Sequence, residues 1–285
     1  FQVGGWPDSQ IEILTTSDCV VSSSQPETNL NGNALTVLYN EAEEQYNASL
    51  VYFDISSIPS NAEINSAHLS LYNIAESGDV SIRIGRLSST PIWLEDELTW
   101  NNMPYSETPP SICYYNVVAN TWNHYGVTGF LRGWHYGTYT NNGFQIFTES
   151  NNTLAMFYPR ESGTEFTPRL NINYSIYPAP IAYATPGSNM GEIDLIWTRP
   201  SGDVTGFKIV YDEDSDNPPW NPDQNGTPES GADVGDITSI TIGSLMPGQE
   251  YHLAVAAYNS NVISDFSDVA TSIAAPGPGI EIEPT

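Results

Sequence analysis

Along most of the chain, apolar and polar residues change places at every second position. In "SLVYFDISSIP", Val51, Phe53 and Ile55 fall on one face. In "AHLSLYN", Ala67, Leu69 and Leu71 do the same while His68, Ser70 and Tyr72 point the other way. A period of two is the signature of half-buried strands. It recurs in "VSIRIGRL", "RLNINYSIY", "EIDLIWT", "FKIVYD", "SITIGSL" and "EYHLAVAAY", with Pro, Gly, Asn and Ser clusters between them. That spacing belongs to antiparallel sandwiches, and no long amphipathic helix competes with it. The pattern predicts an all-β protein.

The punctuation predicts where the chain divides. "YPAPIAYATPG" sets Pro178 and Pro180 close together, which cannot continue a central strand and makes a stiff connector. A second stretch, "APGPG" from Ala275, closes the second unit. The expected organisation is an N-terminal extension over 1–17, a sandwich over 18–178, a second sandwich over 179–275 and a tail over 276–285. The length of 285 residues suits two domains with separate cores.

Composition narrows the partners. The net charge of -27, from 34 acidic and 7 basic residues with Lys208 the single lysine, excludes nucleic acid, whose phosphates need clustered cations. Such a surface suits extracellular, salty or calcium-containing surroundings, although ordinary solubility explains it equally. No run of 18 apolar residues occurs, so membrane insertion is not expected. The start at Phe1, without a basic-then-apolar leader, leads us to expect an exported mature chain. Cys19 and Cys113 are the two cysteines; they fit either one disulfide in an oxidising compartment or two buried thiols. A disulfide closing so long a loop would contribute about 4 to 5 kcal/mol.

Catalytic constellations are missing from the sequence. It has no G-x-S-x-G elbow, no H-E-x-x-H pair and no phosphate-cradling glycine loop, and His68, His124, His135 and His252 lack metal-ligand spacing. Glu95, Asp96 and Glu97 are the nearest candidates for paired carboxylates, in "WLEDELTWNN". No enzyme activity and no required cofactor are expected. Calcium is the one candidate ion: "DEDSDNPPWNPD" alternates Asp212, Asp214 and Asp216 and adds Asp223, an oxygen-ligand order. The competing reading is a solvated acidic loop, since Asn217 stands at the usual glycine position and strands flank the segment.

The densest aromatic stretch is "TWNHYGVTGFLRGWHYGTYTNNGF", residues 121–144. Trp122, Tyr125, Tyr136 and Tyr139 sit among turn residues, where rings stack on a sugar, meet another protein or simply pack. At the two ends, "SQIEIL" and "IEIEP" alternate Ile with Glu; Ile11, Ile13, Ile280 and Ile282 would form strands that either link copies head to tail into a filament or dock on their own domain.

Two resemblances follow from spaced motifs. "DCVVSSSQPETNLNG", "LVYFDISSIP", "INSAHLSLYN", "WLEDELTWNNMP", "GVTGFLRGW", "NNGFQIF" and "FYPRESGTEFTPRLNINY" occur in the order found in the DNRLRE family, which this region resembles. That family is related to carbohydrate-binding modules, and the resemblance implies a jelly-roll-like sandwich in which Phe130, Trp134 and Phe144, at the "VTGFLRGW" and "NNGF" positions, are packing residues. The acidic "EAEEQYNASL" departs from the basic residues the family often carries there, so no anion preference is inherited. Residues 179–275 resemble a fibronectin type III domain through Trp197 in "IDLIW", Tyr211 in "FKIVY" and "LMPGQEYHLAVAAYN", which implies a seven-stranded sandwich with Tyr251 as its corner tyrosine. The whole reads as a non-catalytic extracellular cell-surface or matrix protein of adhesion or assembly, partnered by copies of itself, another surface protein or a polysaccharide. The alternative is a carbohydrate-binding accessory region of a secreted polysaccharide-degrading enzyme.

Overall fold

The structure, a computed structural model, describes residues 8–88, 93–104, 114–213 and 231–277. It is nearly all β, with 47% strand and 5% helix, and forms two β-sandwich domains in tandem. The chain separates into two compact units, one of Ser9–Pro59 with Ile64–Tyr174, the other taking Ser60–Glu63 and the residues from Ser175 onward.

The first unit opens with β1 (Asp8–Leu14), β2 (Ser17–Ser22), β3 (Leu35–Asn40) and β4 (Gln45–Tyr52). The long β5 (Ala62–Ser77), then β6 (Ser81–Arg86), β7 (Tyr114–Asn116) and β8 (Trp122–Gly126) follow. Helix α1 (Thr128–His135), β9 (Phe144–Thr148), β10 (Thr153–Phe157) and β11 (Arg169–Ile176) complete it. Hydrogen bonding runs β1-β11-β5-β10-β3-β4-β9-β6-β7, with β2 on β4 and β8 on β5. Along β4 the partners change, Asn47 pairing with Leu38 of β3 and Ser49–Val51 pairing with β9.

Register fixes which residues face inward. Ser49, Ile146 and Ile84 lie in one cross-strand row, and Val51 pairs with Phe144. These five side chains, with Phe53, are fully buried, as are Ala67, Leu69 and Leu71 of β5. Burying each large apolar one contributes about 2 to 3 kcal/mol. Phe144 is the hub: its ring centroid lies 4.6 Å from Trp134, 5.7 Å from Phe130 and 6.4 Å from Phe53. The helix that supplies two of those rings is pinned to β5, because Ala67 N–H donates to Thr128 Oγ1 at 3.0 Å and Val127 N–H to Ala67 O at 2.9 Å. Phe130, Trp134 and Phe144 therefore fill the interior, as their motif positions lead us to expect.

β1 takes one of the two arrangements expected for the N-terminal stretch, docking on its own domain. It hydrogen-bonds to β11 of its own unit, and Ile13 is buried, so Ile11 and Ile13 belong to an edge strand of the domain's own sheet. The period-two pattern of "SQIEIL" is right for a strand; only the sheet it joins was undetermined. Ile280 and Ile282 lie outside the described residues.

The second unit pairs β12 (Ala182–Pro186), β13 (Ile193–Trp197) and β16 (Ser239–Ile242) in one sheet. The other sheet holds β15 (Ala232–Gly235), β14 (Gly206–Asp212), β17 (Glu250–Tyr258) and β18 (Ala270–Ile273). Seven strands over two sheets match the expectation among the described residues. Trp197 meets Phe207 edge-on at 5.5 Å in the core. Tyr251 has a buried ring, and its hydroxyl accepts a hydrogen bond from Met246 N–H at 3.1 Å, which is the corner-tyrosine contact.

Candidate functional site

The four rings singled out in residues 121–144 do not come together. Tyr125 is 1% exposed, on β8 paired with Leu69, so it is a core residue and touches no ligand. Trp122 joins Tyr72, which also packs on Phe166, and the Arg169 guanidinium covers its ring at 4.4 Å. The Tyr136 hydroxyl accepts Ile64 N–H at 3.0 Å, tying the helix C-terminus to β5. Tyr139 is 43% exposed, but Arg86 lies 3.7 Å over its ring. Its ring also fills the space beside Gly133, where a Cβ would meet it at 2.4 Å. Internal partners thus occupy Trp122 and Tyr139.

An open aromatic surface exists elsewhere, on the outer face of β4, β9 and β6. In β4 the even positions Tyr46, Ala48, Leu50 and Tyr52 form a second apolar stripe opposite Ser49 and Val51. A strand that is apolar on both faces needs cover on both. Here the cover is the 93–104 segment: Leu98 packs with Cys19, Val21, Ala48 and Leu50, and Trp93, Trp100, Met103 and Phe147 flank that cluster.

Where the cover ends, a groove of about 320 Å³ opens, walled by Tyr46, Trp100, Phe147 and Leu38 with Asn47, Gln145, Arg83, Thr148 and Glu149. Tyr46 is 38% exposed; its ring lies 6.4 Å from Trp100 and 5.1 Å from Tyr39. Register explains the floor, since Arg83 pairs with Phe147 across β6 and β9. The Arg83 Nη1 donates to Glu149 Oε1 at 2.6 Å, so the groove's one cation is neutralised by its one anion. Apolar walls with a few fixed polar groups are the make-up of a preformed ligand site. Sequence reading missed this site because Tyr46 lay in the acidic "EAEEQYNASL" and Trp100 in "WLEDELTWNNMP", one of the spaced motifs that carry the family resemblance. The doubled apolar stripe of "QYNASLVYF" was the available signal.

A charged network lies behind the 93–104 segment. Arg160 holds Glu95 bidentately, Nε to Oε1 at 2.8 Å and Nη2 to Oε2 at 2.6 Å, and contacts Glu161 at 3.1 Å. Glu95 Oε1 also accepts Asp18 N–H at 2.8 Å, and Asp18 Oδ2 accepts Arg160 N–H at 2.8 Å. Burial pushes the Asp18 carboxyl up to about 7, with repulsion from Glu161 and Glu95 outweighed in part by the Arg160 N–H bond. Asp18, Glu95 and Glu161 bring carboxylate oxygens within 4.8 Å of one another, the one such grouping among the described residues. Arg160 already supplies their countercharge, so the network fits a structural clamp on the cover better than a metal centre. Glu95 is thus a clamp residue.

The remaining expectations divide. Cys19 is a buried free thiol, its Sγ 3.3 Å from Val20 O, and burial pushes it up to about 11. Cys19 has no disulfide partner among the described residues, and Cys113 lies outside them. Asp212 ends β14, where its Oδ1 accepts Glu213 N–H at 2.6 Å. Asp214, Asp216 and Asp223 of the calcium expectation lie outside the described residues. His124 Nδ1 sits 2.7 Å from Ser70 Oγ, a structural contact between β8 and β5.

Taken together, the structure is that of a tandem β-sandwich protein with an open, aromatic-walled groove on its first module. The family model of carbohydrate-binding module family 96 matches residues 9–174, more than half of the chain, and that of the fibronectin type III domain matches residues 184–273. The chain belongs to carbohydrate-binding module family 96. The family match carries that name and not the DNRLRE name. Both module types are non-catalytic and typical of extracellular proteins, and no described helix is long and apolar enough to cross a membrane.

Among solved structures, the chain is similar to a fibronectin type III domain of human fibronectin type III domain containing protein 3, with 21% identity, 36% of this chain and 91% of that one covered, and a TM-score of 0.28. It is also similar to an Fn3-like protein from Clostridium thermocellum, at 20% identity, 36% and 97% coverage and a TM-score of 0.27. The FN5 domain of Drosophila Lar gives 24% identity, 36% and 100% coverage and a TM-score of 0.27. None of these likenesses bears on function. No curated protein matches the chain.

Proposed function

We propose that the first module binds a neutral polysaccharide in the groove of Tyr46, Trp100 and Phe147, with the fibronectin type III module as a spacer. The observation that carries this reading is an open aromatic wall beside Asn47 and Gln145, in a chain of a carbohydrate-binding family. Aromatic faces accept the apolar face of a sugar ring, and amides read its hydroxyls. A neutral ligand fits best, since Arg83 is already paired with Glu149, Glu41, Glu43 and Glu44 stand just before β4, and the chain carries -27 overall. One contact of this kind serves either role expected from sequence: adhesion of a surface protein, or targeting of a linked polysaccharide-degrading domain.

Affinity gel electrophoresis with xylan, galactomannan, hydroxyethylcellulose and polygalacturonate tests the reading. At least one neutral polymer should retard the protein, and Tyr46→Ala should weaken the interaction by about tenfold, worth about 1.4 kcal/mol. Migration unchanged in every gel, or Tyr46→Ala behaving as wild type, rejects the groove; retardation by polygalacturonate alone rejects the neutral class.

A further inference from the structure

A second pocket opens at the other end of the same strand. It encloses about 340 Å³ and is lined by Tyr52, Trp93, Ser17, Thr140, Asn141 and Asn142. Tyr52 stands six residues after Tyr46 on β4, an even number, so the two rings project from the same face of the sheet, about 20 Å apart along the strand. Between them Ala48 and Leu50 lie under the cover, and the two tryptophans that flank that cover divide between the pockets, Trp100 to the groove and Trp93 to this one.

The walls of this pocket are held before any ligand arrives. Trp93 Nε1 donates to Asn142 O at 2.9 Å, which fixes the indole plane. Asn141 Nδ2 donates to Phe53 O at 2.8 Å, and its Oδ1 accepts Gly143 N–H at 3.1 Å. The turn can hug β4 because Gly143 sits at φ +90 with no Cβ, which would otherwise meet Val51 O at 2.5 Å. The amides of Asn141 and Asn142 are thereby engaged with backbone, Asn142 Nδ2 donating to Ser88 O. The groups left to meet a ligand are the Tyr52 and Trp93 rings and the hydroxyls of Ser17, Thr140 and Tyr52. All of them are neutral. Two aromatic faces with hydroxyl donors and no charge fit a sugar and would leave a charged ligand unpaired.

We propose that this pocket is a second carbohydrate subsite, and that one glycan chain crosses the cover to occupy both it and the Tyr46 groove. The proposal rests on the carbohydrate reading of the groove and extends it to a ligand several sugar units long. Two linked contacts raise the affinity for a polymer above that for a short fragment, because the second contact forms intramolecularly.

The test uses the full chain in affinity gels of xylan, galactomannan and hydroxyethylcellulose, with Tyr46→Ala, Tyr52→Ala and Thr140→Trp. Thr140 is exposed, so the indole of Thr140→Trp obstructs the pocket mouth without entering the core. For a polymer that retards the wild type, each of the three variants should weaken binding by about tenfold, while a disaccharide of the same sugar should lose affinity far less. Tyr46→Ala weakened with Tyr52→Ala and Thr140→Trp at wild-type affinity overturns the second subsite and leaves the groove standing. Tyr52→Ala weakened with Thr140→Trp unaffected also overturns it, because the effect is then structural. A wild type retarded by no polymer overturns both readings together.

Discussion

Substituting Asp18 with Asn removes the share of the first module's pH-dependent stability that Asp18 supplies. The folded carboxyl ionises near 7 where the ordinary value is 3.8, chiefly because it is buried, 1% exposed, against Glu161 and Glu95. The folded state therefore holds a proton that the unfolded chain has released, and stability must fall as pH rises. Asp18 contributes its full stabilisation below about pH 4 and loses it as pH climbs through about 7. A displacement from 3.8 to about 7 corresponds to about 4 kcal/mol between those limits. In Asp18→Asn the amide oxygen still accepts Arg160 N–H, so the clamp on Glu95 persists and only the proton linkage goes. Urea unfolding followed by the fluorescence of Trp93, Trp100, Trp122 and Trp134, at intervals from pH 4 to pH 8, measures both proteins. The difference between wild type and variant should move by about 3 to 4 kcal/mol in favour of the variant across that interval. Parallel curves would refute the reasoning, since they would mean that Asp18 ionises in the fold as readily as in the open chain.

Other expectations follow from single contacts. Phe144→Ala removes the ring shared by Phe53, Phe130 and Trp134 and should lower first-module stability by about 3 to 5 kcal/mol in the same unfolding assay. Tyr251→Phe deletes the acceptor of Met246 N–H and should cost the second module about 1 to 2 kcal/mol, read as a lower urea midpoint with unchanged slope. Cys19 should resist iodoacetamide in the folded protein and react fully in denaturant without any reductant; failure to label under those conditions would restore the disulfide. Gly143→Ala forces a Cβ against Val51 O and a side chain into positive φ, so it should destabilise the β4–β9 region and reduce hydrogen-exchange protection of Leu50 and Val51.

Sequence alone determined the class of fold and most of the inward face. Alternation in Val51 and Phe53, and in Ala67, Leu69 and Leu71, carries its own meaning, because side chains of a strand point to opposite faces whatever the strand packs on. Tyr251 and Trp197 were legible for a similar reason: their positions within a spaced motif already specify a local geometry. Which strands become neighbours is a different kind of information. β1 reads as a strand in isolation, yet only the assembled sheet shows it on β11. Surface chemistry depends on the same long-range pairing. Tyr46, Trp100, Phe147 and Arg83 are scattered over four segments, and the register of β4, β9 and β6 with the overlying cover makes one wall of them. Conversely, Trp122 and Tyr139 look available in the sequence and are covered by Arg169 and Arg86, residues distant in the chain. A ring's neighbours along the chain set its rotamers; the fold decides whether its face is left open.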